Sequence, residues 1–143
     1  MSDGTTLPPA SRRDFSDFPL HQALGVTLEE SRPGFARIAL RTSRMTQGGV
    51  GGSVHGGVLA ALVDIAMLEA LHPMFEPEEQ PSGTVDLNIT FLRPALGEQI
   101  TAEATVLRKG RQLAVVEVSV LDRERRLCAK GRTIYAIRAK SDA

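Results

Sequence analysis

The most hydrophobic stretch of the chain spans residues 56–72. In it Val58, Leu59, Ala60, Ala61, Leu62, Val63, Ile65, Ala66, Met67, Leu68, Ala70 and Leu71 leave only Asp64 and Glu69 polar. This predicts a helix ended by Pro73, and a helix with no polar face predicts burial on every side. After a polar loop at residues 76–82 the period falls to two. Val85, Leu87, Ile89 and Phe91 alternate with Asp86, Asn88 and Thr90, the pattern of a strand with one face inward over residues 84–92. Residues 99–108, 112–121 and 126–137 have the same character. The short links Lys109-Gly110-Arg111 and Asp122-Arg123-Glu124-Arg125 predict antiparallel hairpins between them.

Ahead of the helix, residues 26–30 and 35–41 flank the turn signal Arg32-Pro33-Gly34 and read as a further hairpin. Residues 42–54 carry Gly48, Gly49, Gly51 and Gly52 without an apolar period, which predicts a loop feeding the helix. Phe15, Phe18, Leu20 and Leu24 predict a short helix over the core edge, with Asp14 or Ser16 as N-cap and Gly25 as its stop. Residues 1–13 show no periodicity and read as a flexible leader, so residues 14–143 form a single domain. The sum is an α+β fold, an antiparallel sheet of about six strands wrapped around one long central helix.

Composition narrows the function. At 143 residues the chain can build its own core. Its 17 Lys+Arg balance 17 Asp+Glu, which argues against a nucleic-acid partner of the ordinary basic kind. Residues 1–13 lack the apolar run of a signal peptide, so the expected location is cytoplasmic. The 14-residue apolar stretch at 58–71, interrupted by Asp64 and Glu69, is too short and too charged to span a bilayer, and no membrane partner is expected. His21, His55 and His72 lack metal-ligand spacing, and Cys128 is the single cysteine. Neither a metal nor a cofactor is therefore expected.

Two features carry chemistry. Asp64 lies mid-helix among Leu62, Val63, Ile65 and Ala66, where an unpaired carboxylate is costly. It is either a structural partner at a strand or subunit interface, or a general base or nucleophile in an apolar slot. At the helix start, His55-Gly56-Gly57-Val58 presents amides that lack carbonyl partners within the helix. The absence of side chains at Gly56 and Gly57 lets an acyl oxygen approach the Gly57 and Val58 N–H groups, the arrangement of an oxyanion hole. The same glycines also permit close packing of the loop. Gly57 and Asp64 share a helix face but lie about 10 Å apart along the axis. One carboxylate cannot serve a carbonyl held at its own helix start, whereas two helices paired antiparallel about a two-fold axis bring Asp64 of one subunit toward Gly57 of the other. A homodimer with composite sites is the expected minimal unit.

The run HGGVLAALVDIA (residues 55–66), followed by TVDLNITFLRPA (residues 84–95) and the Gly110-Arg111 turn, resembles the hotdog-fold acyl-CoA thioesterases of the phenylacetate-degradation (PaaI-like) group, over roughly residues 18–138. That resemblance implies hydrolysis of an aromatic or medium-chain acyl-CoA to free acid and CoA by a homodimer, or a dimer of dimers. It implies Asp64 as catalytic base or nucleophile and the Gly57 amide as the group polarising the thioester carbonyl. His55 is implied to orient the loop or the thioester, and Thr84 to position the water. Many relatives carry Asn six residues before the histidine, where this chain has Gly49; Gln47 is the nearest amide.

For the CoA phosphates the available cations are Arg93, Arg108, Lys109 and Arg111. Leu59, Met67, Leu68, Met74 and Phe75 are the candidates for the acyl pocket, with Gly56 and Val58 binding substrate at the helix start, although core packing explains the methionines and leucines equally well. The rival function is a non-catalytic acyl-CoA or lipid-like ligand-binding protein of the same fold, for which Gly49 is the best argument. A hotdog dehydratase places its histidine and acid differently and matches HGGV poorly.

Overall fold

The computed structural model describes residues 14–140, so the expected leader at residues 1–13 lies outside the described residues. A 3-10 turn at Phe15–Asp17 leads into helix α1 (Pro19–Leu24), with proline in its first turn and Gly25 at φ 84° as its left-handed stop. Strands β1 (Val26–Arg32) and β2 (Phe35–Arg41) form the first hairpin, and helix α2 (Gly56–Leu71) follows the glycine loop. Then come β3 (Glu79–Phe91), β4 (Gln99–Lys109), β5 (Leu113–Leu121) and β6 (Leu127–Ala139). All pair antiparallel in one sheet of order β1-β2-β4-β5-β6-β3, so β1 and β3 are its edges.

The inward residues of the strands and one face of α2 make a single core. Ile38, Leu40, Ile100, Val116, Val118 and Val120 from the sheet meet Leu62, Val63, Met67 and Leu71 from the helix. Each such side chain contributes about 2 kcal/mol when buried. Gly131 on β6 makes the close approach possible, since a Cβ there would lie 2.7 Å from Val63 Cγ1. The outward face of the sheet is polar and charge-laced: Arg37 bridges Glu30 and Glu103, Arg125 also meets Glu103, and Lys130 meets Glu117.

Three expectations change. The sheet does not enclose α2 on every side. Val58, Ala61, Asp64, Ile65 and Leu68 remain half-buried along one stripe, because the sheet curls around the helix without closing. Strand β3 begins at Glu79 rather than after the polar loop, and it passes through Pro81. An edge strand tolerates this proline because only one of its sides joins the ladder. Finally, the 3-10 turn His72–Met74 continues α2, so Gly56–Met74 is long and apolar enough by length and mean hydropathy (1.5) to cross a membrane. The contacts of its buried residues with the sheet make it the core helix.

Candidate active site

The site begins where the glycine loop becomes α2. The His55 backbone amide donates to the Thr46 carbonyl (2.8 Å) and the Val54 amide to the Ala95 carbonyl (3.0 Å), which fixes the entry to the helix. His55 is the N-cap. Its carbonyl accepts from Val58 and Leu59, and its imidazole Nδ1 accepts from the Gly57 amide at 2.9 Å. The Gly57 N–H, expected to stand open for a carbonyl oxygen, is therefore engaged by His55. The physical reason is that a first-turn amide has no acceptor within its own helix and the preceding side chain supplies one. Val58 N–H is likewise taken, by the His55 carbonyl.

This contact fixes the chemistry of the ring. A neutral imidazole that accepts at Nδ1 carries its proton on Nε2, so His55 presents an Nε2–H donor backed by the positive end of α2. Gly48 seats the ring from the other side: at φ 154°, a Cβ there would come within 2.9 Å of His55 Cδ2. Gly49 has no room for a side chain either, since a Cβ would fall 2.2 Å from Ser53 Oγ. The loop thus closes around Gly49, and Gln47 stays exposed beside it, bridged to Val54.

The second half lies mid-helix. Asp64 Oδ1 accepts a hydrogen bond from Thr84 Oγ1 at 2.8 Å. Thr84 reaches the helix because β3 is irregular on both sides of it, with register shifts at Pro81/Gly83 and Thr84/Asp86 that re-aim one residue toward α2. Both side chains open onto the uncovered stripe. The structure therefore joins Asp64 with Thr84 and His55 with Gly57, and leaves the two pairs at separate points of one protomer.

The pocket candidates divide. Beside the helix start lies a cavity of about 360 Å³ lined by Val50, Val54, Gly56, Leu59, Phe91 and Arg93 among others. Val58 and Leu68 lie on the open stripe. Met67, only 1% exposed, packs into the core. Phe75 is half-buried, edge-on to His72 with ring centroids 5.7 Å apart, at the far end of the helix.

The four cations do not share one rim. Arg93 borders the cavity at the helix start, whereas Arg108, Lys109 and Arg111 sit at the β4–β5 turn. That turn lies at the other end of the helix, where Gly34 donates to Ala70 O and accepts from the Val106 amide. Lys109 is not free for phosphate. It pairs with Glu79 at 2.7 Å, and both side chains are nearly buried. The Glu76 amide and then Lys109 hold the Glu79 carboxyl below its ordinary value. Arg108 and Arg111 remain exposed.

Residues 51–129 match the model of the thioesterase superfamily. The chain is 31% identical over 132 residues to the medium/long-chain acyl-CoA thioesterase YigI of Escherichia coli K12, covering 83% of this chain and 85% of that protein. Among solved structures, a thioesterase family protein from Silicibacter pomeroyi superposes with a TM-score of 0.79 at 25% identity, covering 87% of this chain and 93% of that one. The Escherichia coli PaaI protein superposes with a TM-score of 0.76 at 24% identity, covering 85% and 86%, and that likeness speaks to the fold. Six antiparallel strands around the central helix α2, together with these matches, place the chain in the thioesterase superfamily as a hotdog-fold thioester hydrolase.

Proposed function

We propose that the protein hydrolyses acyl-CoA thioesters at composite sites of a homodimer, with Asp64 and Thr84 from one subunit and His55 from the other. The observation that carries this is the Thr84–Asp64 hydrogen bond. It engages one carboxylate oxygen and leaves the second to take a proton from water. Water gives that proton to Asp64 and its oxygen adds to the thioester carbon. The carbonyl oxygen takes up the charge against His55 Nε2–H, as a neutral histidine at a helix N-terminus polarises a carbonyl. The C–S bond then breaks, and the CoA thiolate recovers the proton from Asp64. Arg93 of one subunit, with Arg108 and Arg111 of the other, would face the CoA phosphates.

Two surfaces support the pairing. Strand β3 is a 13-residue edge strand with exposed Val85, Phe91 and Leu92 at its open side and end, a template for pairing with another strand. Alongside it, Val58, Ala61, Ile65 and Leu68 of α2 are only half-buried. A second copy set across β3 covers both and turns the α2 helices antiparallel. The relative YigI is named for medium and long chains, and the apolar stripe suits that class. The test is thiol release across acetyl-, hexanoyl-, dodecanoyl-, palmitoyl- and phenylacetyl-CoA. Turnover is expected to peak at medium or long acyl chains. Binding of these esters without thiol release over hours would instead identify a non-catalytic carrier.

A further inference from the structure

Ser53 carries a buried hydroxyl without a partner. The residue is 4% exposed and its carbonyl accepts from the Gly48 and Gly49 amides, but among the described residues nothing hydrogen-bonds its Oγ. The Thr133 hydroxyl is also unpartnered, yet it is sealed in the core, whereas Ser53 lines the cavity beside the start of α2. Gly49 lines the same cavity and keeps the space around that oxygen clear, since a Cβ there would collide with it. A hydroxyl withdrawn from water without a hydrogen bond is costly, and one that faces a cavity can be satisfied by a ligand.

The other walls narrow the chemistry of that ligand. Val50, Leu59 and Phe91 are apolar, and the Phe91 ring presses onto the helix start, where a Cβ at Gly56 would lie 3.2 Å from its Cζ. Arg93 stands at the border, exposed and without an acidic partner among the described residues. The volume of about 360 Å³ falls within the roughly 300–1,000 Å³ of small-molecule sites. His55 immediately precedes Gly56 of the lining, so the cavity leads to the proposed carbonyl position. The matching ligand is a chain with apolar stretches, hydrogen-bonding groups along its length and an anionic end. The pantetheine arm of CoA has these features in its amides, its geminal methyl groups and the diphosphate beyond them. A plain acyl chain would leave both Ser53 and Arg93 unmatched.

We propose that this cavity is the subsite for the pantetheine arm, with Ser53 Oγ hydrogen-bonded to the arm and Arg93 at the diphosphate, in the subunit that supplies His55. The acyl chain then runs along the half-buried stripe of α2. Ser53 binds and positions substrate and takes no part in bond making. This deepens the hydrolase reading and rests on it.

Ser53→Ala removes a hydroxyl that holds nothing in the protein, so thermal unfolding should not change. KM for dodecanoyl-CoA is expected to rise about five-fold with kcat changed less than about two-fold, as when one hydrogen bond common to ground and transition states is lost. Dodecanoyl-pantetheine keeps the arm but lacks the diphosphate. It should show the same rise with Ser53→Ala and none with Arg93→Gln, whereas dodecanoyl-CoA should respond to both. Unchanged KM for both thioesters in Ser53→Ala overturns the proposal. So does an effect confined to the preferred acyl length, which would put the acyl chain in the cavity. If the unmodified protein releases no thiol from any ester, the hydrolase reading fails, and calorimetric titration with CoA still decides the subsite. Binding weakened about five-fold by Ser53→Ala supports it, and equal binding overturns it.

Discussion

Asp64→Asn is expected to lower kcat for acyl-CoA hydrolysis by about 10²–10⁴-fold with little change in KM, the range that loss of a positioned general base produces. The substitution is nearly isosteric, and the asparagine carbonyl can still accept the Thr84 hydroxyl, so the β3–α2 contact survives. The removed charge sits half-buried on the apolar stripe, so folding should not suffer. Circular dichroism and thermal unfolding close to those of the unmodified protein would tie the loss to chemistry. A rate near the original would exclude Asp64 from the reaction. Single turnover in heavy-oxygen water separates the two chemical roles of this residue: label confined to the fatty acid is the base route, whereas label in Asp64 reveals direct attack through an anhydride.

The second large effect is expected at His55. Asparagine there can still cap α2 by accepting from the Gly57 amide, but it lacks a donor at the Nε2 position. His55→Asn should therefore keep stability and lose about 10²-fold in kcat, the effect of removing one oxyanion donor. His55→Ala tests the same assignment from the other side. It frees the Gly57 amide, so if that amide were the working donor, alanine would keep activity while asparagine, still capping, would not. The expected result is that both lose activity, with alanine also lowering thermal stability through the lost cap. Steady-state thiol release on both variants distinguishes the cases.

Most of the architecture could be read in the sequence because it rests on periodicity. The apolar run before Pro73 and the strict alternation of residues 85–91 left few alternatives to a central helix and a set of antiparallel strands. What periodicity could not convey was closure. An all-apolar helix reads as enclosed, and only the folded sheet shows that Val58, Ala61, Ile65 and Leu68 stay half-buried beside Asp64. The early start of β3 was hidden for a similar reason, since Pro81 and the acidic loop mask an edge strand that needs only one paired side.

Site residues divide along the same line. Asp64 stands out as a charge in an apolar run, and His-Gly-Gly stands out as a helix start, so both were visible. The use of the Gly57 amide was not, because whether an N-cap histidine turns its Nδ1 inward depends on the Gly48 surface against which it packs. Lys109 looked like a free surface cation until Glu79, thirty residues away in sequence, proved to be its partner.

The claim that joins these observations is that each active site takes Asp64 from one subunit and His55 from the other. Mixing the purified, separately inactive Asp64→Asn and His55→Asn proteins under conditions that exchange subunits tests it most directly. A composite site predicts recovery to about one quarter of the original activity, because half the dimers become mixed and each mixed dimer holds one intact site. If exchange is verified by mass and activity stays at the level of the two variants alone, Asp64 and His55 act within one chain and the composite site is contradicted.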